Sequence, residues 1–242
     1  MALRSAPLHN LRNERESGTV RIYTLVAAIG LGIVVCASSA QSKPASAQAS
    51  LLSHNLVKNG NAETEGADDK HVPAWGEKEG FTEESYGSVG SEWDHGLSGC
   101  ATCGKGYLRL QFESGTHELS ISQTIDVSSL AADIDKKSVT ASVSAYLGGF
   151  LNSDTTGIVT ASFRDASGAE LGKIETTPYD TKQLPKAQSG STGLVLSQSS
   201  GAVPAGTRKI VYTWKATATG DSGDYLGLGD NFSLVLTAAQ PS

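Results

Sequence analysis

The sequence predicts an all-β protein, an antiparallel β-sandwich of jelly-roll type, and three observations carry that prediction. Apolar residues recur with period two over several segments, the spacing of half-buried strands. Gly is abundant and Met nearly absent, 27 against 1 in 242 residues, and Gly, Asn, Asp and Ser separate the alternating segments. Strands do not alternate with helical stretches, so the βαβ rhythm of a parallel sheet is missing.

The chain opens with Arg4, Arg12, Arg15 and Arg21 against Glu14 and Glu16, followed by an uncharged, largely apolar run from Ile22 to Ala37. That run is shorter than the roughly 18 to 20 residues a spanning helix needs, and it leads into small residues containing Ala45-Ser46-Ala47. The pattern predicts a signal peptide over residues 1–47, cleaved after Ala47 or after Ala40; the alternative is an uncleaved anchor. Either way the remainder is expected outside the cell, secreted or at its surface. Cys36 follows Val35 rather than the small residue of a lipoprotein signal. Removing residues 1–47 takes away five basic and two acidic residues, so the net charge moves from −6 to −9. An acidic surface of this kind disfavours phosphate backbones and anionic membranes and suits neutral ligands or bound cations. Neither nucleic acid nor membrane insertion after signal cleavage is expected.

Residues 48–54 read as a loose tail, 55–237 as the folded domain and 238–242 as a second tail. Within the domain, Leu119, Ile121 and Gln123 share one parity, as do Val139, Ala141, Val143 and Ala145, and then Val159, Ala161 and Phe163. Ile210, Tyr212, Trp214 and Ala216 alternate with polar neighbours, and a last strand is expected from Phe232 to Leu236. The clearest turns are Asp165-Ala166-Ser167-Gly168 and Pro204-Ala205-Gly206, with a long polar loop from Pro185 to Gly193. Only Leu130 to Lys137 reads as helical, about two turns.

The segment from Asn55 to Glu63, with Pro73-Ala74-Trp75 after it, resembles the start of carbohydrate-binding modules of the galactose-binding-like jelly-roll superfamily. Gln123-Thr124-Ile125-Asp126-Val127, Leu147-Gly148-Gly149, Phe163 to Gly168, Val203 to Arg208 and Asp230-Asn231-Phe232-Ser233-Leu234 follow in the order that superfamily shows. The resemblance implies a non-catalytic domain with a glycan or polysaccharide as partner and a structural calcium ion as cofactor. It implies Glu63 and Asp230 as the ion's side-chain ligands, because the first and last strands of such folds are neighbours. The residues agree with this: two carboxylates in close approach repel unless one is protonated or a cation lies between them, and calcium accepts carboxylates and backbone carbonyls. The Asn59-Gly60-Asn61 turn is the expected source of carbonyls. Leu226-Gly227-Leu228-Gly229 stands before Asp230 where relatives place an aromatic.

Cys100 and Cys103 are the cysteine pair of the exported portion, and in an oxidising compartment they are expected to form a local disulfide pinning the loop before Tyr107. A zinc site with His95 and His117 is the alternative. Gly220-Asp221-Ser222-Gly223 resembles the nucleophile loop of trypsin-like proteases, but none of His54, His71, His95 or His117 stands in a matching context, and a glycine-rich hairpin loop is the plainer reading. Asp221, Asp224 and Asp230 form a small acidic cluster, an alternative cation site.

A sugar site needs aromatic faces for the apolar C–H surface of the ring and amides or carboxylates for its hydroxyls. Trp75 and Trp214 read as core. Tyr86, Trp93, Tyr146 and Tyr179 are the aromatic candidates, with Asn152 and Asp154 as polar partners. Two further functions compete with glycan binding: a structural or adhesive surface protein on the same sandwich, and, with less support, a secreted hydrolase. One exposed aromatic platform would favour the first of the three and scattered aromatics the second. No paired nucleophile and base is evident in the sequence for the third.

Overall fold

The computed structural model describes residues 51–64, 71–87, 100, 102–112, 118–149, 155–180, 186–187, 190–191, 193–218 and 226–238. The predicted signal peptide, Trp93, His95, His117, Asn152, Asp154 and the Gly220–Gly223 motif lie outside the described residues.

The strands are β1 (His71–Val72), β2 (Gly76–Glu77), β3 (Phe81–Ser85), β4 (Gly106–Gln111), β5 (Glu118–Asp126), β6 (Val139–Gly149) and β7 (Thr155–Arg164). They continue as β8 (Glu170–Glu175), β9 (Tyr179–Asp180), β10 (Lys186–Ala187), β11 (Gly190–Ser191), β12 (Gly193–Ala202), β13 (Lys209–Ala218) and β14 (Leu226–Ala238). Two antiparallel sheets form the sandwich. One runs β12-β6-β14-β4-β3; the other runs β5-β13-β7-β8, with β9 also pairing with β7. β1-β2 and β10-β11 form two separate two-stranded ladders, and Val72 of β1 packs into the core.

Alternation decides which side chains meet between the sheets. Val139, Ala141, Val143, Ala145 and Leu147 from β6 are buried, as are Ile210, Tyr212, Trp214 and Ala216 from β13 and Phe232, Leu234 and Leu236 from β14. Aromatic rings knit the layers: Trp214 meets Phe232 at 5.0 Å between centroids, and Trp75 meets Phe232 at 5.4 Å edge-on. The Tyr212 hydroxyl crosses the core to donate to the carbonyl of Ser144 at 3.0 Å. Trp75 and Trp214 are thus core residues, as their sequence context predicts.

The helix is shorter than expected. A 3-10 turn at Ser128–Leu130 leads into α1 (Ala131–Asp135), and Lys137 takes a left-handed φ of 58° that ends it, its N–H reaching Ile134 O at 2.8 Å. The polar loop from Pro185 to Gly193 contains the β10-β11 ladder, Lys186 opposite Ser191. The turn at Asp165–Gly168 forms as read: Asp165 Oδ1 accepts the N–H groups of Ser167 (2.8 Å) and Ala169 (3.0 Å), and Gly168 supplies φ 94°.

The start of the domain needs correction. Residues 51–54 are no free tail: Leu52 bridges Leu236, and Ser53 N–H donates to Leu236 O at 2.8 Å. Asn55 then docks on β14, donating from Nδ2 to Phe232 O and accepting the N–H groups of Val57 and Leu234 on Oδ1. Gln123, only 8% exposed on β5, exchanges both its amide groups with the backbone of Lys58, at 3.0 and 2.7 Å. A buried amide must be satisfied, and this one is satisfied by the incoming segment. That segment is therefore stitched to both sheets.

Candidate functional site

The site lies where this first segment crosses the bulge of β14. Register places Leu196, Tyr146 and Asp230 side by side across β12, β6 and β14, so they share one face of the sheet. Pairing then slips between Asp230 and Ser233, and Asn231 takes a left-handed φ of 49°, a bulge that re-aims the residues around it. Gly60 sits against that bulge. Its carbonyl accepts Phe232 N–H at 2.8 Å, and a Cβ there would lie 2.2 Å from Phe232 O, so only glycine fits.

Asp230 is fully buried, 0% exposed. Its Oδ2 accepts the Tyr86 hydroxyl at 2.9 Å and its Oδ1 accepts Asn231 N–H at 2.6 Å. Burial, reinforced by the negative charge of Glu63, pushes the carboxyl up to about 7, against the pull of those two donors. Glu63 is exposed, and its Oε1 accepts the N–H groups of Lys105 at 2.5 Å and Gly106 at 3.0 Å. A Cβ at Gly104 would fall 2.0 Å from the same oxygen, so the backbone closes tightly around this carboxylate. Glu63 also lines a depression of about 470 Å³ with Glu83, Ser85 and Lys105.

This donor set is all hard oxygen, which fits calcium rather than a soft metal. Among the described residues there is no group of three or more His, Cys, Asp or Glu, so two carboxylates are what the side chains offer. The expected carbonyls are partly spoken for: Asn59 O accepts the Trp75 indole N–H at 3.1 Å, and Gly60 O accepts Phe232 N–H.

Cys100 and Cys103 form a disulfide with 4.9 Å between Cα atoms. The bridged loop caps the bulge: Asn231 Nδ2 donates to Thr102 Oγ1 at 3.3 Å and approaches both sulfurs, at 3.4 and 3.8 Å. The thiols are therefore not zinc ligands.

The aromatic candidates separate. Tyr146 is half-buried on the outer face of its sheet. Tyr86 is half-buried, its ring tilted against Tyr107 at 4.9 Å between centroids and its hydroxyl committed to Asp230; burial, then Asp230, raises that hydroxyl's pKa far above the ordinary tyrosine value. Tyr179 is 2% exposed and packs against Gly157, where a Cβ would strike its ring, so it presents no face to a ligand. The reason is positional: Tyr179 opens a polar loop in sequence but pairs through β9 onto β7, which turns the ring inward.

A second feature was not legible in the sequence. A groove of about 500 Å³ runs beside the bulge, lined by Asn55, Asn59, Asn61, Tyr146, Asn231 and Ser233 among others. The one advance signal is the density of asparagine in the two motifs that build it.

No protein-family model and no curated protein matches the chain. Similar solved structures include a family 16 carbohydrate-binding module, 16% identical over 75% of this chain and 99% of that one, TM-score 0.41. Another is the Stig cyclase Fisc from Fischerella sp. TAU, 13% identical over 77% of this chain and 98% of that one, TM-score 0.49. A third is the enzymatically active domain of bacteriophage CBA120 tailspike protein 4, 13% identical over 75% of this chain, TM-score 0.46; the chain spans 21% of its length. Likeness this distant does not identify a ligand or an activity.

Proposed function

We propose that this chain is an exported, non-catalytic carbohydrate-binding domain of the galactose-binding-like jelly-roll type, stabilised by calcium. The observation that carries the reading is the approach of Glu63 to Asp230. They stand 167 positions apart in the sequence, yet the seam between the first segment and β14 brings one within electrostatic reach of the other, where the colinear motifs imply a calcium site. Burial, and after it the charge of Glu63, raises the Asp230 carboxyl, and a cation between the two carboxylates would offset both costs. Glu63 and Asp230 would hold the ion, which would tie residues 59–63 and the loop before β4 to the last strand.

The test is a melting curve of the oxidised protein with excess calcium and then with chelator, since a ligand that binds only the native state raises apparent stability. A calcium-dependent rise that Glu63→Ala abolishes supports the site, and retardation in a polysaccharide affinity gel supports the glycan. An unchanged melting temperature removes the metal from the reading.

One observation favours the structural or adhesive alternative. Tyr86, Tyr146 and Tyr179 do not make one exposed aromatic platform, because one is buried and another is bound to Asp230. A protein that no polysaccharide retards, and that self-associates or adheres to cell-surface protein, would decide for that alternative.

A further inference from the structure

We propose that the groove beside the β14 bulge is the saccharide site, and that it selects uncharged sugars. The inference rests on the carbohydrate-binding reading above and adds the place and the chemistry.

The groove contrasts with its neighbour. The depression holding Glu63 also carries Glu83 and Lys105, whereas the side chains lining the larger groove are amides, hydroxyls, one tyrosine and one valine, with no charge among them. In a protein with net charge −6 that is a local exception. A groove whose lining side chains carry no charge offers an anionic sugar no ion-pair partner, while it can exchange hydrogen bonds with neutral hydroxyls one for one.

Its polar atoms divide into two sets. Asn55 and Asn59 are fully employed in holding the wall: Asn55 bonds the backbone of Phe232, Val57 and Leu234, and Asn59 bonds that of Thr64 and Pro73. The disulfide loop holds Asn231 from the other side. These contacts fix the shape before any ligand arrives, which lowers the ordering cost of binding. By contrast, the Asn61 amide and the hydroxyls of Tyr146, Ser144 and Ser233 make no side-chain hydrogen bond among the described residues, so both donors and acceptors remain for a ligand.

The groove also has an apolar margin. Tyr146 stands directly opposite Leu196, whose side chain is 49% exposed, so a ring face and an aliphatic side chain lie together on the sheet surface. A pyranose presents the matching combination, apolar C–H faces with hydroxyls at its edge.

The experiment is calorimetric titration of the full chain with neutral hexasaccharides (cello-, xylo-, manno- and galacto-series) and with hexagalacturonate, repeated on Tyr146→Ala, Tyr146→Phe and Asn61→Ala. Asn61 is an exposed turn residue, so its variant should melt as the parent does and separates loss of binding from loss of fold. At least one neutral series should bind. Asn61→Ala and Tyr146→Phe should each weaken it about five- to tenfold, the worth of one hydrogen bond, and Tyr146→Ala more than tenfold, since the ring face is lost as well. Unchanged affinity in Tyr146→Ala and Asn61→Ala would overturn the assignment of the groove while leaving the carbohydrate-binding reading intact. Hexagalacturonate binding as tightly as the neutral sugars would overturn the selectivity. Absence of binding to every saccharide would remove both.

Discussion

Replacing Asp230 with asparagine should stabilise the calcium-free protein at high pH and abolish the stabilisation by calcium that the family resemblance implies. The carboxyl is raised from 3.8 to about 7, chiefly by burial. A rise of that size corresponds to about 4 kcal/mol of cost when the group is ionised in the native state at pH 8. Asparagine removes the charge but keeps one oxygen acceptor where the carboxylate used two, for Tyr86 and Asn231. The forfeited bond is worth about 1 to 2 kcal/mol. The net expectation is a gain of about 2 to 3 kcal/mol, or about 4 to 12 °C in melting temperature for a domain of this size. The pH dependence has a definite sign: the native state holds this proton between about pH 4 and 7 and the unfolded state does not, so the calcium-free parent loses stability as pH rises through that window. The variant should lack that slope. Urea titrations of both proteins in chelator at pH 3.5 and 8 measure it. In calcium the parent should recover and the variant should not. A variant less stable than the parent at pH 8 in chelator would refute the reasoning, because it would mean that Tyr86 and Asn231 more than compensate burial.

Three further outcomes follow from the packing. Trp75→Ala should cost about 3 to 5 kcal/mol in denaturant unfolding, since the ring bridges Phe81, Tyr212 and Phe232; Trp75→Phe should cost about 1 to 2 kcal/mol through loss of the bond to Asn59 O. Gln123→Ala should cost about 2 to 3 kcal/mol and accelerate hydrogen exchange at the Lys58 amide, which it holds at 3.0 Å, well before exchange in β6 changes. Reducing the Cys100–Cys103 bond should cost roughly 2 kcal/mol, as expected for so short a loop, and should raise exchange at Lys105 and Gly106 first.

The period-two segments on β6, β7, β13 and β14 were legible because alternation leaves a single face to bury, and the inward sets Val139 to Ala145 and Ile210 to Ala216 follow from it directly. The turn at Asp165 and the disulfide were legible because each is a local device written in four residues. β12 was not, since Gly193-Leu-Val-Leu-Ser-Gln-Ser-Ser-Gly-Ala202 has the composition of a loop and becomes a strand by pairing along its whole length with β6. Tyr179 shows the same limit from the other side: its neighbours are polar, and only the pairing of β9 with β7 buries it.

By itself, the sequence determined the class of fold, the core faces of the principal strands and the two acids worth watching, because those depend on periodicity and on residue chemistry. Tertiary structure alone decided which carboxylate is buried and which exposed, which tyrosine keeps a free face, and that asparagines from residues 55–61 and 231 enclose one groove. These are properties of pairs of segments far apart in the chain, and no local pattern records the register that brings them together.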